Sequence, residues 1–133
     1  MKTILLILTI LLFTGCQGVI GSKDNETIYH VEWVLGTDDN PSGYSYTNET
    51  LQVTGMITNT GDTTIFAPWS VEAEFWEDST FNVILGGDQK AFNVNLYSGK
   101  STQWDLEYSS DDRVESNYPN FAIYNFRAFI SKN

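Results

Sequence analysis

Few side chains in this 133-residue chain are of types that do chemistry, and their spacing narrows the options further. His30 is the only histidine and Cys16 the only cysteine, so the Cys and His sets that hold structural or catalytic zinc cannot be assembled. A Ser-His-Asp triad would have to use His30, and no Gly-x-Ser-x-Gly elbow accompanies it. No phosphate-binding glycine motif is present. Glu72 and Glu74 share a face of a strand-like run, about 7 Å apart by strand geometry, with Trp76 next along the same face. Two carboxylates beside a tryptophan are the parts of a glycosidase, one as acid and one as nucleophile or base. They are equally the parts of a solvated sheet face, and a domain of this size leaves little room for a sugar cleft. No catalytic residue is assigned.

Clusters at Asp38-Asp39-Asn40, Glu77-Asp78 and Asp111-Asp112 offer the oxygen ligands that calcium takes, but none has EF-hand spacing. Neither a metal nor a cofactor is expected. Tyr44, Tyr46, Trp76 and Tyr118 are the candidate binding aromatics, platforms that stack on sugars or anchor a protein interface. Asn25-Glu26-Thr27 and Asn48-Glu49-Thr50 match the glycosylation sequon.

The N-terminus has one cation, Lys2, then the apolar run 4–13, then Thr14-Gly15-Cys16. A charged start, a short apolar stretch and small residues after it form a signal-peptide pattern. The run falls short of the roughly 20 residues that a bilayer span needs. Leu12-Phe13-Thr14-Gly15-Cys16 resembles a prokaryotic lipobox, with Phe13 where Leu more often stands. That resemblance implies a diacylglycerol on the Cys16 thiol and cleavage before it. The domain layout expected is a lipoprotein signal peptide over 1–15, a tether over 16–26 with lipidated Cys16, and a folded domain over 27–133.

Loss of residues 1–15 removes one cation, so the formal charge of −10 becomes −11. Phosphates would be repelled, which argues against nucleic acid. The same charge argues against anionic headgroups, leaving acyl chains to hold the membrane. With Cys16 acylated no disulfide can form, and the core alone must hold the fold.

The elements that position these residues read as strands. Leu51, Val53, Gly55 and Ile57 alternate with Gln52, Thr54 and Thr58, and Asn59-Thr60-Gly61-Asp62 makes a turn. Ile65 to Phe75 alternates across eleven residues, with Pro68 inside it at a bulge or edge. Further strands are expected at Thr27 to Leu35, Phe81 to Leu85, Ala91 to Leu96 and Thr102 to Tyr108. In a closing strand, Ala122, Tyr124, Phe126, Ala128 and Ile130 are expected to share one face. About seven short strands with one apolar face each point to an immunoglobulin-like antiparallel β-sandwich, with an up-and-down barrel as the alternative.

Leu51-x-Val53-x-Gly55-x-Ile57-x-Asn59-x-Gly61, the long strand ending Phe75-Trp76-Glu77-Asp78, and the Ser98-Gly99-Lys100 turn together resemble the FxLYD-type domains of prokaryotic lipoproteins. The resemblance spans roughly residues 49 to 130 and implies a sandwich in the cell envelope. The function expected is a non-enzymatic, lipid-anchored extracytoplasmic interaction domain. Its partners would be the membrane, through the lipid on Cys16, and an envelope protein. The alternative is a carbohydrate- or cell-wall-binding module that uses exposed aromatics.

Overall fold

Alternation over Thr50–Asn59 builds the central strand of the molecule, because every second side chain from Leu51 to Asn59 turns inward and is buried. In the computed structural model, which describes residues 25–47, 49–110 and 117–132, this strand is β4 of eight. The others are β1 (Asn25–Ile28), β2 (Val31–Leu35), β3 (Tyr44–Tyr46), β5 (Trp69–Trp76), β6 (Ile84–Phe92), β7 (Ser101–Ser109) and β8 (Ala122–Ser131). They form two antiparallel sheets packed face to face as a β-sandwich. One sheet has the order β1-β8-β5-β6. In the other, β4 pairs with β7 along one edge and with β2 and β3 along the opposite edge.

The core lies between β4 and β5. Leu51, Val53 and Ile57 from one sheet meet Trp69, Val71, Ala73 and Phe75 from the other, with Trp104 and Leu106 of β7 alongside. Each fully buried side chain of this size contributes about 1.5–3 kcal/mol by leaving water. Gly55 sits where an inward side chain would be, and the Trp104 indole occupies that space. A Cβ there would lie 2.5 Å from Trp104 Cζ2 and 2.1 Å from the Val34 carbonyl oxygen. Trp104 packs in turn against Trp33 and Phe126, at centroid distances of 6.2 and 4.6 Å.

β2 and β3 are two halves of one edge strand. Gly36 and Gly43 both bond to Thr54 of β4, and residues 37–42 are pinched out as a loop between them. Gly36 and Gly43 have φ of 93° and 80°, a backbone region that favours glycine. The open edges of β6 and β7 are joined by side chains. Asp88 accepts the Glu107 backbone N–H at 2.8 Å, and Lys90 pairs with Asp105. Because no ladder runs between these strands, the sheets stay a sandwich and do not close into a barrel.

Five strand expectations need correction. Thr27 to Leu35 is two strands in different sheets, since the chain crosses the sandwich at Tyr29-His30. β1 also takes in Asn25 and Glu26, which the sequence pattern leaves in the tether. The run from Ile65 to Phe75 breaks at the cis Ala67–Pro68 peptide, and β5 begins at Trp69. The segments Phe81 to Leu85 and Ala91 to Leu96 are replaced by the single strand β6. It runs through Gly86-Gly87, a pair that reads as a turn when its pairing partner is unseen. Finally, β8 does not keep one face. A bulge opposite Ala73, where Asn125 takes φ 55°, reverses its parity so that Ile123 and Ala128 are buried and Tyr124 is exposed.

Candidate functional site

The outer face of the β5 sheet brings together polar and charged side chains from β5, β6 and β8. β5 alternates strictly, so Ser70, Glu72, Glu74 and Trp76 project away from the core. Register then sets their neighbours. Glu72 lies between Gln89 of β6 and Arg127 of β8, and Glu74 between Gly87 and Tyr124. Gly87 contributes no side chain, which leaves an open groove of about 830 Å³ bounded by Glu72, Glu74, Gln89, Asn125 and Arg127.

Both carboxylates are engaged. Arg127 donates through Nε to Glu72 and through a terminal nitrogen to the Thr27 hydroxyl at 3.1 Å. Its guanidinium also lies 4.9 Å from the centre of the Phe129 ring. Asn125 donates its side-chain amide to Glu74. The bulge makes this last contact, since it turns Asn125 outward beside Glu74. Each is tied laterally to a neighbour on the same sheet face, an arrangement that holds donors and acceptors at fixed spacing.

Beyond the Glu74 end of the groove, on the same sheet face, three aromatics meet. Trp76 packs edge-on against Phe81 at 6.0 Å, and Phe81 lies against Tyr124 at 4.7 Å. Tyr124 is half exposed, and Ile84, opposite Trp76, extends the apolar surface. The Trp76 indole N–H is enclosed and has no partner among the described residues. Phe81 is held by the turn before it, where Asp78 accepts from both the hydroxyl and the backbone N–H of Thr80. The Thr80 hydroxyl, with the Thr80 backbone N–H second, holds the Asp78 carboxyl below its ordinary range.

The four aromatics singled out in the sequence are not brought together. Trp76 stands at the groove. Tyr44 packs edge-on against Phe121 at 5.1 Å, at the margin of the core. Tyr118 also packs against the core. Tyr46 is exposed on the other sheet, beside Ser45, Gln52 and Glu107 in a smaller depression. Cys16, Asn48 and the Asp111-Asp112 pair lie outside the described residues. His30 is exposed at the β1–β2 crossing, its ring covering Gly61. Among the described residues no three His, Cys, Asp or Glu side chains converge to hold a metal ion.

Sequence reasoning missed Phe81, Tyr124, Asn125 and Arg127 as members of this face. The one local signal was Asn125, a residue type that tolerates positive φ and so marks a bulge.

No family model matches the chain, and no curated protein is similar to it in sequence. Among solved structures the chain is similar to a β-glucosidase from Kluyveromyces marxianus, with 12% identity and a TM-score of 0.36. The match covers 79% of this chain and 15% of that enzyme. A likeness at that level decides nothing about activity.

Proposed function

We propose that this protein is a non-enzymatic binding domain of the cell envelope, tethered to the extracytoplasmic side of a membrane by a lipid on Cys16. Its ligand is taken on the outer face of the β5 sheet. The observation that carries this reading is the Trp76–Phe81–Tyr124 cluster standing on the same sheet face as, and next to, an open groove lined by the polar row Glu74–Asn125 and Glu72–Arg127. Aromatic rings offer flat apolar surface to the C–H faces of sugars. Amide, guanidinium and carboxylate groups held at fixed spacing offer donors and acceptors to hydroxyls. That combination favours a neutral or amino-bearing glycan of the envelope as the ligand.

A second reading has its own support. Val83 and Ile84 are half exposed beside the same aromatics, and an apolar patch of this kind suits a protein partner. Titration of the purified protein with envelope glycans, followed by tryptophan fluorescence, separates the two. The expected result is a saturable change in the wild type that Tyr124→Ala weakens at least tenfold. A flat response across neutral and amino sugars, with recovery of one envelope protein in equal amount from solubilised membranes, would replace the glycan with a protein. Turnover of any glycan, abolished by Glu72→Gln or Glu74→Gln, would overturn the non-enzymatic reading.

A further inference from the structure

The end of the sandwich at which the described chain begins differs from the rest of its surface. Asn25 opens β1 opposite Ser131, the last residue of β8. β5 starts and β6 ends at that same end, since Trp69 pairs with Phe92 and Ser70 with Phe129. The segments 60–68 and 93–100 therefore close the sandwich where the tether enters it. A web of bonds holds these segments in place. Buried Asn59 donates to the carbonyls of Thr63 and Leu96 at 2.8 and 2.9 Å and accepts the Gly61 N–H at 3.0 Å. Ile65 and Leu96 bridge, the His30 carbonyl accepts the Thr60 N–H, and Trp69 Nε1 donates to the Val94 carbonyl.

On these fixed segments apolar side chains face solvent. Phe66 is 66% exposed, Val94 65% and Tyr97 58%, and Tyr29 at the β1–β2 crossing is 87% exposed. The inward turn of Ile65 and Leu96 at their bridge is what sends Phe66 and Tyr97 outward. Rigid backbone presenting apolar and aromatic tips is poorly explained by core packing, because the core is already closed beneath them.

Charge at this end also departs from the whole. Glu26 pairs with Lys132 at 2.9 Å, and Asp62 is matched in number by Lys100. The Glu26–Lys132 pair and the segments 60–68 and 93–100 carry no net charge in a chain of formal charge −10, so the repulsion from anionic lipid that the composition implies is weaker at these segments.

We infer that this end of the domain, through Phe66, Val94 and Tyr97, rests in the interfacial layer of the membrane that carries the anchor. The inference depends on the lipid anchor proposed above, and chain length fits it. Eight residues separate Cys16 from Asn25, which limits the reach from the acylated cysteine to about 30 Å even when fully extended. The tethered end is therefore the one kept nearest the lipid. Aromatic residues favour the headgroup layer, where an apolar ring and a polar tip are both satisfied.

The test uses the full lipidated chain in phosphatidylcholine vesicles that contain doxyl-labelled lipid. One cysteine is introduced as Tyr97→Cys and, separately, as Thr80→Cys at the far end of the sandwich; each is labelled with an environment-sensitive fluorophore. The inference expects a blue shift and at least twofold quenching at position 97 and neither at position 80. It is overturned if position 97 stays unquenched in chains that float with the vesicles, or if both positions are quenched alike. Flotation of the wild type against Cys16→Ala tests the anchor by itself. Equal flotation of the two would overturn the anchor and this inference with it, whereas flotation lost only in Cys16→Ala, with position 97 unquenched, would overturn this inference alone.

Discussion

The two ends of this sandwich are built to different rules. At the tether end the loops are tied by a buried side chain, Asn59, whose amide is fully satisfied by three backbone groups, and what they expose is apolar and neutral. At the opposite end the 77–83 turn is held by local contacts, chiefly Asp78 to Thr80. It carries Glu77 and Asp78 and no Lys or Arg, and it adjoins the aromatics beside the groove. Long-range ties make rigid loops, whereas local ties make loops that can adjust to a ligand. The comparison teaches that one core can carry two ends of different surface chemistry, one rigid and apolar, the other acidic and locally held.

The largest expected effect strikes the middle that both ends share. Gly55→Ala forces a Cβ into the Trp104 indole and the Val34 carbonyl, and overpacking of this kind costs about 1–3 kcal/mol or more. Urea denaturation should show a lowered midpoint with an unchanged slope; an unaltered midpoint would mean that Trp104 moves aside freely.

Next comes the tether end. Asn59→Ala takes a side-chain bond from the Thr63 carbonyl and the Gly61 N–H, while the Leu96 carbonyl keeps the Ile65 N–H, and the expected cost is about 1–3 kcal/mol in all. Hydrogen exchange should accelerate in 60–68 and 93–100 more than in 77–83. Uniform acceleration would erase the distinction drawn between the ends.

Tyr124→Ala removes a half-exposed ring from beside the groove without opening the core, so stability should change by less than about 1 kcal/mol while ligand affinity falls. A large drop in melting temperature would mark Tyr124 as structural and weaken the case for the groove.

The smallest effect lies at the far turn. The Asp78 carboxyl is held below its ordinary range by Thr80, so its contribution to stability is present above the unfolded value of about 3.9 and is lost as pH falls through the folded value. Thr80→Ala should therefore be slightly less stable than wild type at pH 6, with the gap closing below about pH 4. A gap that persists at low pH would assign the loss to the turn's packing instead.

Sequence patterning made β4, β7 and the alternating part of β5 legible. β4 and β5 are buried on one face along their whole length, and β7 at Trp104 and Leu106, and that writes a period of two into the residues. β6 was not legible, because its Gly86-Gly87-Asp88 stretch is strand only by virtue of pairing with β5 along an edge. The groove was half legible. Glu72, Glu74 and Trp76 follow from the alternation of β5, whereas Tyr124, Asn125 and Arg127 join them only through a bulge in β8.

By itself, then, the sequence determined the fold class, the inward and outward faces of the well-patterned strands, and the acidic balance, all of which depend on residue type and local period. Tertiary structure alone decided which strands meet across the sheets and where β8 changes parity. It also decided that Phe66, Val94 and Tyr97 gather at the end where the tether enters. Those outcomes depend on pairing between segments far apart in the chain, and a one-residue bulge or a crossing at two exposed residues leaves no period for a sequence to display.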